Sequence, residues 1–316
     1  MYLRLVKGLL TFIPGSSCFL RPKGSGGTVS ARYCYSVWLR HLVMLRKNGL
    51  PTEHQTIAEL GPGDSLGIGL CAMLTGADKY FALDAVEFAE NSRNAEILEQ
   101  LLDLFKRREK IPRESEFPRI KPDLDSYDFP EYILTQERLN RCLHPQRIDA
   151  LRKALAEPGK IIGGLQVIYI APWDGEENIV ENSVDLVFSQ AVLEHVDDLP
   201  AAFSALYRYL KPGGVMSHDV DFKSHGIADT WDGHWCYSGI LWKLIRGRRK
   251  HSYWLNRHPH SRHIKFIEEK GFRIVCDIRS NLNSRISRKK LAPEFKFLTG
   301  EDMTTATSFI QAVKMR

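Results

Sequence analysis

The sequence predicts an α/β protein, built as a largely parallel sheet with helices on both faces. Three observations carry that prediction. Short apolar runs, "TIAEL", "KYFALD", "LQVIYIAP" and "SVDLVFSQ", alternate with helical stretches, the pattern of strands joined by crossover helices. The first of these runs ends in Glu59-Leu60-Gly61-Pro62-Gly63 directly before a helix, which leaves bare backbone N–H groups at the positive end of that helix. The second ends in an acid, Asp84, about twenty residues on.

The 316 residues are 43% hydrophobic and 26% charged, enough to bury one large core or a core with a sizeable insertion. A balance of 44 Lys plus Arg against 38 Asp plus Glu gives +6, too mild and too dispersed for a nucleic-acid partner. The six cysteines, at 18, 34, 71, 142, 236 and 276, form no CxxC and no short pair, so neither a zinc site nor a disulfide framework is expected, and a reducing cytoplasm fits. The apolar opening "MYLRLVKGLLTFIPGSSCFL" is interrupted by Arg4, Lys7 and Pro14, leaving no stretch of the about 20 residues a bilayer span needs. It also lacks the long apolar centre and small-residue cleavage site of a signal peptide. Two readings stay open for it: a helix packed on the core, or an amphipathic helix on a membrane surface.

Along the chain, "RPKGSGGTVS" is a glycine-rich loop, and Ser30 is placed to cap a helix that ends before Gly49 and Pro51, so that residues 1–50 form an N-terminal helical gate. "LGIGLCAML" is the helix after the first strand. From about 86 to 160 the chain is charged and proline-bearing and ends in a helical "TQERLNRCLHPQRIDALRKALAE", read as a helical insertion into a domain spanning 51–316. "LPAAFSALYRYL" is a helix, "KPGGVMSHDVDF" a turn and strand, "HIKFIEEKG" a helix closed by Gly271, and "FRIVCDIRS" and "TSFIQAVKM" the last strands.

A glycine loop and a strand-end acid suit either a dinucleotide or S-adenosylmethionine. The dinucleotide pattern G-x-G-x-x-G fails here, because Leu66 stands at its last place. The acid-x-G-x-G at 59–63, Asp84, and the block "NSVDLVFSQAVLEHVDDLPAAFSALYRYLKPGGVM" at 182–216 together resemble the class I S-adenosylmethionine-dependent methyltransferases. The resemblance implies a Rossmann-like sheet and S-adenosylmethionine as cofactor. It also implies contacts from Glu59, Gly61 and Gly63 to the methionine part and from Asp84 to the ribose, with Ala171 and Trp173 at the adenine and Ser189 and Gln190 near the sulfonium. Ser65 stands where many members carry a third glycine, and is small enough to hydrogen-bond the ligand.

Methyl transfer to a hydroxyl needs alignment and a base, and histidine titrates near neutrality. His195 follows the fourth strand; Asp221 and His225 end the fifth. Strand alternation sends His218 and Val220 to one face and Asp219 and Asp221 to the other, so a contact from His218 to the acceptor requires a bulge. These acids and histidines have no diagnostic metal spacing, and no metal ligand is expected from them.

The segment from about 222 to 263 concentrates Trp231, Trp235, Tyr237, Trp242, Tyr253 and Trp254 with His234 and the run Arg246, Arg248, Arg249, Lys250. Flat rings stack on sugar faces and clustered arginines hold phosphate, which makes Trp231, Trp235, Arg246 and Arg248 acceptor candidates; an aromatic subcore is the alternative. The stretch from "SHDVDF" through "NRHPHSRHIKFIEEKGF" resembles methyltransferases associated with bacterial surface-polysaccharide assembly. That implies a sugar hydroxyl acceptor and a cytoplasmic enzyme with peripheral contact at the inner membrane face. A small-metabolite or lipid methyltransferase, and an inactive cofactor-binding partner in a polysaccharide assembly complex, remain alternatives.

Overall fold

The computed structural model describes residues 2–12, 27–175, 179–247 and 254–315. Their strands are β1 (Thr56–Leu60), β2 (Lys79–Leu83), β3 (Ile161–Ile162), β4 (Leu165–Ile170), β5 (Val184–Gln190), β6 (Leu210–Asp221), β7 (Phe272–Asn281) and β8 (Thr305–Lys314). They form one sheet in the order β3-β4-β2-β1-β5-β6-β8-β7. The central strands β4, β2, β1, β5 and β6 run parallel, while β8 is antiparallel to both β6 and β7. The order reverses at β1, so the carboxyl ends of β1, β2 and β5 open onto one crevice.

Alternation along the strands splits the core. Ile57 faces one apolar cluster and Ala58 the other. The first cluster is covered by α2 (Ala31–Lys47), α3 (Gly67–Leu74), α4 (Asn91–Lys106) and α6 (Pro145–Ala156), the second by α7 (Leu199–Tyr209) and α9 (His260–Glu269). The α/β class with helices on both faces is what the sequence predicts.

Ser30 caps α2 by accepting the Tyr33 N–H at 3.4 Å, and Gly49 follows its end with φ +68°. The helix is no detachable gate. His41 on it is buried and lies 2.7 Å from the Ser217 hydroxyl on β6, its ring against Phe188 and Phe309.

The segment at 86–160, expected as an insertion, is the enlarged crossover from β2 to β4. Its helices α4, α5 (Gln136–Cys142) and α6 supply Ile97, Leu101, Phe105, Leu139, Leu151 and Leu155 to the first cluster. Its charges and prolines come from the faces and turns left in water. The short β3 pairs with β4 through Gly163 and Gly164, both at positive φ, as a two-residue hairpin requires. Two strand residues are too few to show a period, so the sequence reading misses them.

Three aromatics of the 222–263 segment form a subcore. Tyr237, Trp242, Ile245, Trp254 and Leu255 pack together with Leu5 of α1 (Tyr2–Leu10) and with Leu241 of α8 (Gly239–Arg246). A side chain at Gly8 would overlap the Leu244 backbone oxygen, so the two helices meet at backbone distance. Among the described residues no helix is long and apolar enough to cross a membrane.

Candidate functional site

After β1 the chain turns through Gly61 (φ +61°) and Gly63 (φ +78°), the left-handed region that favours glycine. A Cβ on Gly61 would also lie 2.6 Å from Val192. Asp84, at the end of β2, accepts the Gly63 N–H at 3.3 Å and the Ala85 N–H at 2.7 Å, which ties the loop to the next strand. Burial raises its carboxyl to about 6. Trp173 donates its backbone N–H to the Asp84 carbonyl at 2.7 Å, and its indole Nε1, also buried, has no hydrogen-bond partner among the described residues.

One cleft of about 1500 Å³ begins at these residues. It runs from Gly61, Gly63, Asp84 and Trp173 past Gln190 and His195 to Asp221, His225, Trp231 and Arg246. Ten of the sequence-predicted site residues thus converge on one volume from separate segments of the chain.

Six expected residues stay out of it. Glu59 is buried beneath the loop, where its Oε2 accepts from the Gly69 N–H and the Tyr80 hydroxyl; burial lifts it to about 8, and it shapes the turn without reaching a ligand. Ser65 is buried as well, its hydroxyl donating to the Thr28 carbonyl and accepting from the Gly67 N–H. Ala171 precedes a cis proline and leaves the cleft wall to Trp173. Ser189 and His218 are fully buried and bonded to each other at 2.7 Å across β5 and β6, because no bulge turns His218 out of its strand alternation. Trp235 is a core residue whose Nε1 donates to the Arg257 carbonyl, packed with Leu291 and Phe295 and closed to any sugar.

Arg246 borders the cleft with its guanidinium held by Asp197 in two bonds of 2.8 and 2.6 Å. Trp231 also lines it, anchored through Nε1 to the Asn283 carbonyl. Arg248, Arg249, Lys250 and Tyr253 lie outside the described residues.

The far half of the cleft holds the titratable groups. Asp221 pairs with Lys223 at 2.8 Å and with His225 Nε2 at 3.3 Å; despite its burial, those bonds hold it down at about 2. His225 itself sits at φ +47°, and its ring centre is 5.1 Å from that of His195. Burial, then the neighbouring His225, lowers His195 to about 4, so it is neutral at physiological pH.

Sequence reasoning passes over Asp219, although its face is the one assigned to Asp221. It lines the cleft, almost fully buried, with Oδ2 accepting from Gln190 Nε2 at 2.6 Å, and burial beside Asp221 raises it to about 8. Tyr33, Phe88, Arg119 and Lys223 also line the cleft with no local signal to mark them.

A methyltransferase domain family matches residues 142–217. The tRNA 5-carboxymethoxyuridine methyltransferase of Escherichia coli (strain K12) is 35% identical over 85 residues, 27% of this chain and 31% of that enzyme. The chain therefore spans about a third of the length of the curated relatives it matches. Among solved structures, an S-adenosylmethionine dependent methyltransferase from Mesorhizobium loti is 14% identical with a TM-score of 0.42, covering 88% of this chain and 97% of its own. The phosphoethanolamine N-methyltransferase 2 of Haemonchus contortus is also 14% identical, with a TM-score of 0.44 over 94% of this chain and 62% of its own.

The sheet order is that of the Rossmann-like methyltransferase fold, and residues 142–217 match a methyltransferase domain, for which S-adenosylmethionine is the expected cofactor. The residues present fit that cofactor. The Asp84 carboxylate faces the cleft where a ribose diol needs an acceptor, the buried Trp173 indole N–H lacks a partner among the described residues, and the Gly61–Gly63 turn keeps side chains off the approach.

Proposed function

We propose that this protein transfers a methyl group from S-adenosylmethionine to a hydroxyl oxygen of a glycan or glycan precursor. The observation that carries the reading is the continuity of one cleft, with cofactor-binding features at one end and His195, Asp221, His225 and Trp231 at the other. When bound, the cofactor supplies an electrophilic methyl group. Gly61, Gly63, Asp84 and Trp173 would hold it. On the acceptor side, Trp231 offers a ring face, and Asp221, Asp219 and Ser224 accept hydrogen bonds from hydroxyls. His195, neutral and in the cleft, would take the hydroxyl proton on a ring nitrogen, while Asp221 beside His225 favours positive charge there.

The same end carries Asp197, Asp221 and Asp229 against Lys223 and Arg246, a poor surface for a phosphate backbone, so the tRNA of the E. coli relative is the less favoured acceptor. Calorimetric titration tests the cofactor half. S-adenosylmethionine should bind at micromolar concentration and NAD should not, and Asp84→Ala should weaken binding at least about 30-fold by removing a charged acceptor. Turnover with an oligosaccharide panel and none with unmodified tRNA or small hydroxy acids is the expected acceptor result; turnover only with a small metabolite would end the glycan assignment.

The helix pair α1 and α8 supports a peripheral membrane role suited to a lipid-linked glycan. Val6, Leu9, Leu10 and Phe12 on one side and Ile240 and Leu244 on the other are exposed, with Lys243 beside them. Sedimentation with vesicles containing phosphatidylglycerol should retain the protein, and Ile240→Glu should release most of it. Equal sedimentation of both, or none of either, would remove lipid from the account.

A further inference from the structure

We propose that Glu194, His195 and His225 form a binding site for one divalent transition-metal ion at the acceptor end of the cleft. Each offers one ligand atom, and the three atoms lie within 4.8 Å of one another. Two imidazoles and a carboxylate suit zinc, manganese, cobalt or iron(II) in preference to magnesium or calcium, which favour all-oxygen sets.

The independent sign of a missing cation is Glu194. Its side chain is buried, and neither carboxyl oxygen has a hydrogen-bond partner among the described residues. A buried carboxyl in that condition costs free energy that a coordinated ion would recover. The His195 Nε2 stands 4.0 Å from Glu194 Oε1, beyond hydrogen-bond reach.

The three ligands are also held in place. Asn256 donates its backbone N–H to the Glu194 carbonyl and its amide to the Leu193 and Val196 carbonyls, all at 2.8 Å, so the turn bearing Glu194 and His195 is clamped from a separate segment. His225 is oriented by Asp221, the carboxylate–imidazole pairing that orients metal-bound histidines, with Lys223 on the other side of the same carboxylate. His195 and His225 face the cleft, so the ion would take an acceptor oxygen as a further ligand and, with His195 ligated, would acidify that hydroxyl in place of the base role His195 has without metal. Its role in catalysis rests on the methyl-transfer reading; its existence does not.

Cobalt(II) is the probe, since its visible d–d bands report imidazole and carboxylate ligation directly. The untagged full chain, stripped with chelator, should bind about one equivalent, and His225→Ala and Glu194→Gln should each weaken binding at least about 10-fold. Because Glu194 is buried and its substitution risks the fold, the cleft-facing His225→Ala is the deciding variant. No bands in the wild type, or bands unchanged in His225→Ala, would overturn the site. S-adenosylmethionine titration of the same samples keeps the two proposals apart: cofactor binding without cobalt ends this one alone, and cobalt binding without cofactor ends the functional reading alone.

Discussion

Replacing Gly69 with alanine should destabilise the cofactor half of the protein without touching the cofactor. Gly69 lies in α3, where an added Cβ would overlap the ring of Tyr80 on β2, and both residues are fully enclosed. The Tyr80 hydroxyl and the Gly69 N–H both bond the Glu59 carboxylate, which lies beneath the Gly61–Gly63 turn. The ring cannot move without breaking that pair of bonds and leaving a buried acid with one donor or none. Overpacking of this kind costs about 3 kcal/mol, some 4–5 °C in Tm for a chain of 316 residues. S-adenosylmethionine affinity should fall with it, because the loop loses its support. Gly300→Ala, with nothing near its Cβ, is the matched control and should change stability by less than about 0.5 kcal/mol. Equal melting temperatures for the two variants would show that the α3–β2 contact is looser than described.

Stability should peak near pH 6.5 and fall on both sides. Burial lowers His41, His218 and His234 to about 3 and His54 to about 4, and takes His263 well below its ordinary value. The unfolded chain binds protons at these five from about pH 6.5 downward while the folded chain does not, so their contribution is complete above that pH and drains away below it. Glu59 and Asp219 act in the opposite sense. Burial raises both to about 8, so the folded state holds their protons, and stability is lost as pH rises from about 4.5 to 8. Each group carries about 1.4 kcal/mol per pH unit inside its window. His195, lowered to about 4, and His258 add to the histidines, while Asp84, raised to about 6, and Glu194 add to the acids; seven histidines outweigh four acids on the acid side, and the acids govern the alkaline side. Thermal melts in chelator between pH 4.5 and 8.5 should show that maximum, with the steeper loss below it; a flat profile from 5 to 8 would contradict the buried neutral histidines. Asp219→Asn keeps an acceptor for Gln190 Nε2 and removes one ionisation, so it should raise Tm at pH 8 more than at pH 5.

Local chemistry determined a good deal of this protein. The strand-to-helix turn at Gly61–Gly63, the acid ending β2, the cap at Ser30 and the period-2 alternation of β6 depend on neighbouring residues alone, and each is legible in the chain. That is why the fold class, Asp84, Gln190, His195, Asp221 and His225 fall where the sequence places them. Tertiary structure decided what only burial and distant partners can decide. Glu59 and Ser65 became supports because Tyr80 and Thr28 reach them first, and His218 closed on Ser189 across two strands. Trp235 entered a core made with residues some sixty positions away. The meeting of Glu194 and His195 with His225, about thirty residues apart in the chain, exists only because β5 and β6 lie side by side and end at the same edge: ligand spacing in sequence carries no trace of an adjacency produced by strand pairing.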